Sequence, residues 1–229
     1  MKSKIALLFS MALLVGCGDL AKEVKELAKT PIHESVEEQD VEAVKEYLAN
    51  GGDANATDFE GDTLLLLAAF VSNSEIIDLL LEKGADVNAK GGYGRTPIHV
   101  AVIHCEVEVV AKLIEKGADV SAKDKDGDMP LHWVSEEGEL EMIKLLISEG
   151  ADVNAKGSLN RTVLHGACVG ESVEVVSFLL EKGADVNARD DDGDTPLDWA
   201  NNESENPEAA AKIGEVLKKN GGKTRAELK

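Results

Sequence analysis

Residues 84–99 read Gly-Ala-Asp-Val-Asn-Ala-Lys-Gly-Gly-Tyr-Gly-Arg-Thr-Pro-Ile-His, and parts of this stretch recur along the whole chain. A glycine returns every 33 residues, at Gly51, Gly84, Gly117, Gly150 and Gly183. A threonine keeps the same spacing, with Met129 in the one vacant position, at Thr30, Thr63, Thr96, Thr162 and Thr195. Columns that persist over five or six copies indicate an internal repeat of one structural unit.

Each copy carries the local signals for two helices. Thr96-Pro97 supplies an N-cap followed by a first helical residue whose missing N–H costs nothing. A second segment places Ile76, Ile77 and Leu80 on one helical face, and the glycine column ends this segment where a left-handed backbone is needed. A single copy cannot bury its apolar face, so the copies are expected to stack on one another.

These residues resemble ankyrin repeats, most clearly in Thr96-Pro97-Ile98-His99, Thr195-Pro196-Leu197 and the recurring Gly-Ala-Asp-Val-Asn-Ala. The resemblance implies an all-α fold, an ankyrin-repeat solenoid of six helix-pair repeats joined by β-turn fingers, and a scaffold that binds proteins without catalysis. The repeats are predicted within residues 30–222, at about 30–62, 63–95, 96–128, 129–161, 162–194 and 195–222, followed by a flexible tail at 223–229.

The charge of the chain restricts its partners. There are 44 acidic residues against 24 lysines and arginines, which gives a formal net charge of −20. Nucleic acids and anionic membrane surfaces attract positive charge, so both are disfavoured as partners. We expect a monomer that contacts another protein and needs no cofactor.

The first residues resemble a bacterial lipoprotein signal peptide, predicted at residues 1–16. Lys2 and Lys4 precede an apolar run at 5–15 that is too short to cross a bilayer. The run leads into Leu14-Val15-Gly16-Cys17, which resembles a lipobox and implies cleavage after Gly16 and lipidation of Cys17. Residues 17–29 would then form a lipidated tether or short helix in the bacterial cell envelope, with Gly18 favouring the outer membrane. An ordinary signal peptide that happens to contain a cysteine is the alternative.

The repeat accounts for most residues that could otherwise suggest an active site. His33, His99, His132 and His165 share one column, and in ankyrin repeats this histidine bonds the adjoining turns. Alternating aspartates at 124–128 and 190–194 resemble a calcium loop but lack its glycine and its final glutamate. No metal site is predicted. Trp133 and Trp199 share a column with Leu67 and Val100 and are predicted to pack in the core, and Cys168 is predicted to be an inert buried thiol.

Two sets of residues remain as candidates for function. In the ankyrin pattern, binding positions lie in the turn before the threonine column and at the end of the first helix. Here these positions predict a partner-binding set formed by Phe59, Phe70, Val71, Tyr93, Arg95, Ile103, His104, Leu159, Arg161 and Val169. A metal- or thiol-dependent activity around His104 and Cys105 is one alternative, and a purely structural spacer is another.

Overall fold

The computed structural model describes residues 31–104, 106–202 and 206–228. Within these ranges the chain forms twelve α-helices and a 3₁₀ turn at Ser158–Asn160, with two isolated β-bridges as the only strand-like pairings. The all-α fold of helix pairs predicted from the sequence is therefore confirmed. The first helices of the pairs are α1 Pro31–Glu37, α3 Leu64–Phe70, α5 Pro97–Ile103, α7 Pro130–Glu137, α9 Val163–Val169 and α11 Pro196–Asn202. The second helices are α2 Val41–Ala49, α4 Ser74–Glu82, α6 Val107–Glu115, α8 Leu140–Ser148, α10 Val173–Glu181 and α12 Pro207–Lys219.

Side chains cap the two helices of the second pair. The Thr63 hydroxyl accepts the Leu66 N–H at 3.2 Å at the start of α3. The Asn73 side chain accepts the Ile76 N–H at 3.0 Å at the start of α4. Each such cap satisfies a backbone donor that the first turn leaves free, and is worth about 1 kcal/mol. Gly84 follows the last turn of α4 with φ of 85°, the left-handed backbone that ends this helix.

Aliphatic side chains fill the interior of the repeats. Ile76, Ile77 and Leu80 of α4 are fully buried, as the apolar periodicity predicts. Small residues line the first helices, with Ala68 and Ala69 of α3 fully buried. Each buried Leu or Ile contributes about 1.5–3 kcal/mol relative to exposure, so stacking supplies the stability that one helix pair lacks.

The chain divides into two compact units, one up to Gly92 and one from Tyr93 onward. In the first unit, α1 packs on α3 and α2 packs on α4. In the second unit, the first helices α5, α7, α9 and α11 pack in sequence, and the second helices α6, α8, α10 and α12 do the same. The sequence predicts a single block of repeats and gives no sign of this division. The boundaries predicted for the individual repeats stay predictions.

The end of the second unit differs from the earlier repeats. Helix α12 has 13 residues, whereas α10 has nine. Counted back from the closing glycine, four of the five additional residues of the last repeat therefore lie in α12, whereas the sequence predicted all five near 203–207, between the helices.

Residues 223–228 make hydrogen bonds to the fifth and the sixth repeat. The Arg225 N–H donates to Asp198 Oδ2 at 2.7 Å, and its guanidinium forms an ion pair with Asp194 at 3.2 Å. The Lys223 N–H donates to Asn187 Oδ1 at 2.8 Å. The flexible tail predicted at 223–229 stays a prediction.

The predicted signal peptide, the tether at 17–29 and Cys105 lie outside the described residues. Among the helices that the structure describes, none is both long and apolar enough to cross a membrane.

Candidate partner-binding surface

Three buried histidines join the first helices α5, α7 and α9 to the later turns of their own repeats. In His99, His132 and His165, Nδ1 accepts the backbone N–H of the residue three positions earlier, at 3.1, 3.2 and 3.1 Å. Because Nδ1 accepts, Nε2 carries the proton and donates to a backbone carbonyl further along the chain, at 3.2, 3.1 and 3.2 Å. Burial lowers the pKa of His132 and of His165. These imidazoles are neutral structural links, as the resemblance implies.

The alternating aspartates shape their own turns. Asp124 Oδ1 accepts the N–H groups of Asp126 and Asp128, both at 2.9 Å. Asp190 Oδ1 accepts those of Asp192 and Asp194 at 3.0 and 2.8 Å. These stretches lack the glycine and the final glutamate of a calcium loop. Their aspartates act as turn residues whose side chains accept hydrogen bonds from the nearby backbone.

The same explanation covers the one candidate cluster of metal ligands found among the described residues, formed by Asp58, Glu60 and Asp62. Asp58 Oδ1 accepts the N–H groups of Glu60 and Asp62, at 2.8 and 2.9 Å. Asp62 Oδ1 accepts the Gly92 N–H at 2.9 Å. The carboxylates of Asp58 and Asp62 are thus used to build these turns.

The turns before the threonine column are of two kinds that alternate along the chain. The acidic fingers begin and end with aspartate and have glycine in the fourth position, at 58–62, 124–128 and 190–194. The arginine fingers begin with glycine and end with arginine, at 91–95 and 157–161. Equivalent fingers therefore lie 66 residues apart, twice the length of the repeat.

Hydrogen bonds connect each finger of the second unit to the next one. Tyr93 O accepts the Lys125 N–H at 3.1 Å, from an arginine finger to an acidic finger. Asp128 Oδ1 then accepts the Ser158 N–H at 2.8 Å, and Leu159 O accepts the Asp191 N–H at 2.9 Å. The fingers from 93 to 194 thus form one hydrogen-bonded row.

The predicted partner-binding residues differ in exposure. Tyr93, Leu159 and Phe70 have exposed fractions of 62%, 60% and 52%, and Phe59 has 37%. His104 is also exposed, whereas the remaining members are half-buried, namely Val71, Arg95, Ile103, Arg161 and Val169. Phe59, Phe70 and Val71 belong to the first unit, and all the others belong to the second. The assignment of these residues to a contact surface stays a prediction.

Two arginines cover the faces of two tryptophans. The Arg95 guanidinium carbon lies 4.3 Å from the Trp133 ring centroid and 5.2 Å from that of Tyr93. Arg161 lies 5.4 Å from the Trp199 ring centroid. The tryptophans are half-buried instead of being enclosed in the core, because each keeps one face for a finger arginine. The prediction of a simple packing role for Trp133 and Trp199 was therefore incomplete.

A cleft of about 350 Å³ opens beside Trp133, and we call it the Trp133 cleft. Its walls include Ile103, Trp133, Glu136 and Arg161, and Gly166 lies in its lining without a side chain. Arg161 and Glu136 approach one another across it at 3.9 Å. Burial raises the pKa of Glu136, and the Arg161 charge lowers it in part. The cleft therefore combines an apolar wall with a carboxylate and a guanidinium.

A comparison of the sequence with known protein families agrees with this architecture. A family model described as ankyrin repeats, in three copies, matches residues 10–91, 32–124, 91–157 and 131–214. The chain belongs to the ankyrin-repeat family. Ankyrin repeats generally bind other proteins and are typically scaffolds without catalysis. A search of curated proteins finds no match to this chain.

The ankyrin turn between the two helices of a pair imposes a left-handed backbone in this chain. Gly138 adopts φ of 75°, and Ser72 and Glu171 at the same position of their repeats adopt φ of 54° and 57°. Cys105 occupies the equivalent position in the sequence, but it lies outside the described residues, so the thiol or metal activity suggested around His104 and Cys105 stays a hypothesis. Cys168 is fully buried, and burial raises the pKa of its thiol.

The Arg–Trp pairs are a feature of this surface that the sequence analysis did not predict. Each arginine precedes its tryptophan by 38 residues, from Arg95 to Trp133 and from Arg161 to Trp199. A search at the single ankyrin period does not find these pairs, because Asp128 and Gly166 stand in the intervening copy. The 66-residue period was the signal that could have revealed them.

Proposed function

We propose that this ankyrin chain is a non-catalytic binding module for another protein, and that the Trp133 cleft forms part of its contact surface. The observation that carries the proposal is the cleft itself, in which Trp133, Ile103 and Arg161 surround about 350 Å³ of open space. Tryptophan and arginine are the residues that most often dominate binding energy at protein interfaces. The exposed Tyr93 and Leu159 extend the apolar character of this surface, and exposed apolar residues commonly mark contact sites.

The placement of this module in the cell is a separate part of the proposal. We propose that Cys17 carries a lipid and anchors the chain in the bacterial cell envelope, with the repeats outside the cytoplasm. The support is the apolar run at 5–15 followed by Leu14-Val15-Gly16-Cys17. Stable anchoring needs more than one acyl chain, because a single chain gives only marginal membrane binding.

Partner capture tests the binding proposal. The full chain, the Trp133→Leu variant and the Val107→Ala variant are each used to capture proteins from the native membranes. Val107 is the matched control because it is an exposed apolar residue, 39% exposed, on a second helix and outside the cleft. We expect Val107→Ala to capture as much partner protein as the wild-type chain does. Trp133→Leu should capture at least about fivefold less. Circular dichroism verifies that each variant is folded, and equal capture by all three would contradict the assignment of the cleft.

Membrane partition tests the anchor independently. The wild-type chain is expected to enter the detergent phase and to incorporate labelled palmitate, whereas the Cys17→Ser variant should do neither. Equal partition of the two chains would contradict lipidation at Cys17 and leave the binding proposal to its own test.

A further inference from the structure

The finger tips of the second unit alternate between apolar and acidic side chains. The third position of each finger is Tyr93, Asp126, Leu159 and Asp192 in successive repeats. All four side chains are exposed, and the two apolar ones are 62% and 60% exposed. Two apolar tips therefore project from the surface with an acidic tip between them and another acidic tip beyond.

The order of the tips is fixed by the structure. Hydrogen bonds join Tyr93 O to Lys125 N, Asp128 Oδ1 to Ser158 N and Leu159 O to Asp191 N, all between 2.8 and 3.1 Å. Neighbouring repeats are about one helix diameter apart, roughly 10 Å, so the two apolar tips lie about 20 Å apart. A partner that contacts both must present its own apolar groups at that separation.

The two apolar tips belong to equivalent composite sites. Behind Tyr93, Arg95 stacks on Trp133, and behind Leu159, Arg161 stacks on Trp199. The same set of an apolar tip, an arginine and a tryptophan thus occurs twice in this unit. This duplication follows the 66-residue period and not the 33-residue period of the fold.

The backbone of Leu159 differs from that of the other three finger tips in having a positive φ. Its φ is 54° and its ψ is 31°, the left-handed region that an L-residue other than glycine, asparagine or aspartate rarely adopts. The neighbouring Asn160 has φ of 55°, so this conformation belongs to the turn at 157–161.

Charge defines the rest of the partner. The finger at 124–128 has three aspartates against one lysine, and the finger at 190–194 has four aspartates. Asp126, Asp191 and Asp192 are exposed. Cationic side chains are therefore favoured beside the apolar anchors, and a surface of this sign repels anionic ligands.

We infer that the finger row binds one segment of a partner protein that has two apolar anchors about 20 Å apart and lysine or arginine between them. The anchors occupy the Tyr93 and Leu159 tips, and the central cation faces Asp126. The span corresponds to about thirteen residues in a helical segment or about six in an extended one. This inference rests on the proposed protein-binding function and adds the chemistry of the partner to it.

Selection from a random peptide library tests the inference with the full chain as bait. The library displays peptides of about 20 residues, long enough for the helical and the extended spacing. We expect the selected peptides to share two apolar positions at one of these spacings with lysine or arginine between them. A consensus with a single anchor, a consensus with acidic residues in the centre, or an empty selection would overturn the inference.

Binding constants of a selected peptide then test the individual tips. Tyr93→Ala and Leu159→Gly should each weaken binding at least about fivefold, and Asp126→Asn about two- to fivefold. Leu159→Gly should also raise the melting temperature, since glycine adopts φ of 54° without strain. Weaker binding by a more stable protein cannot result from unfolding.

Matched controls separate the two proposals. Val107→Ala and Glu174→Gln alter exposed residues on second helices and should leave the affinity unchanged. If the peptide depends on Trp133 but not on Tyr93, Leu159 or Asp126, the two-anchor inference fails and the binding function stands. If partner capture from membranes is unaffected by changes to both the cleft and the tips, the proposed function itself fails.

Discussion

Replacement of Gly157 by alanine should destabilise the protein through one specific overlap. Gly157 begins an arginine finger, and a Cβ added there would overlap Asp128 Oδ1, the atom that accepts the Ser158 N–H at 2.8 Å. It would also lie 2.9–3.0 Å from the His132 ring. The φ of Gly157 is −102°, outside the left-handed region, so left-handed strain makes no contribution.

The expected magnitude follows from the bonds that must break. Displacing the carboxylate loses a hydrogen bond to a charged group, about 1.5–3 kcal/mol, and moving His132 from its carbonyl at 3.1 Å adds about 1 kcal/mol. We therefore expect Gly157→Ala to lower the free energy of unfolding by about 3 kcal/mol, or the melting temperature by about 6–12 °C. Urea unfolding followed by tryptophan fluorescence measures the change.

A double-mutant cycle tests the cause. In the Asp128→Ala variant the overlapping carboxylate is absent, so the further change Gly157→Ala should lower the free energy of unfolding only slightly. The coupling energy between the two substitutions should be about 1.5 kcal/mol or more. Gly150→Ala is the control, because Gly150 has no atom within 4 Å of its added Cβ and its cost comes only from its φ of 98°. The loss of unfolding free energy caused by Gly150→Ala should therefore add to the loss caused by Asp128→Ala. Additivity of Gly157→Ala with Asp128→Ala within about 0.5 kcal/mol would refute the explanation.

Three further predictions concern the end of the chain, the histidines and the buried thiol. Arg225→Ala should lower the free energy of unfolding by about 1 kcal/mol in a urea titration, because it removes the exposed ion pair with Asp194 and a bond to the Asp192 carbonyl; unchanged stability would mean that the tail is not held by this side chain. The free energy of unfolding should fall as the pH decreases below about 6.5, by up to about 1.4 kcal/mol per pH unit for each of His132 and His165, because burial lowers their pKa and the unfolded chain then binds more protons. His165→Gln should reduce this slope in unfolding curves recorded from neutral pH to about pH 5, and an equal slope would contradict the assignment of a neutral imidazole. In a Cys17→Ser/Cys105→Ser variant, Cys168 should not react with a thiol reagent until guanidinium unfolds the chain, since burial raises its pKa and blocks access, and rapid labelling of the native chain would show otherwise.

The fold could be predicted from the sequence because its determinants are local and repeated. A threonine such as Thr63 caps the helix that begins beside it, and a glycine such as Gly84 ends the helix that precedes it. Neither role depends on distant residues. Five or six copies of such signals define the helix pairs even where one copy departs from the pattern, as Met129 does in the threonine column.

The candidate surface was only partly predictable because it depends on pairs of distant residues. Tyr93 and Leu159 were identified as exposed tips from their position in the ankyrin turn, and their high exposure agrees with that position. The stacking of Arg95 on Trp133 joins residues 38 positions apart, which no single-repeat comparison places together. The left-handed backbone of Leu159 was equally hidden, since nothing in the residue type leucine indicates it.

Site-specific photo-cross-linking tests most directly whether this ankyrin chain binds a partner protein through its finger row and the Trp133 cleft. A photoreactive residue is placed in turn at positions 93 and 159 on the finger tips, and at positions 107 and 147 on second helices. Illumination of native membranes should join the same partner protein to the chain from positions 93 and 159 and from neither control position. Cross-links only from positions 107 and 147, or an equal yield of cross-linked partner from all four positions, would contradict binding through this surface.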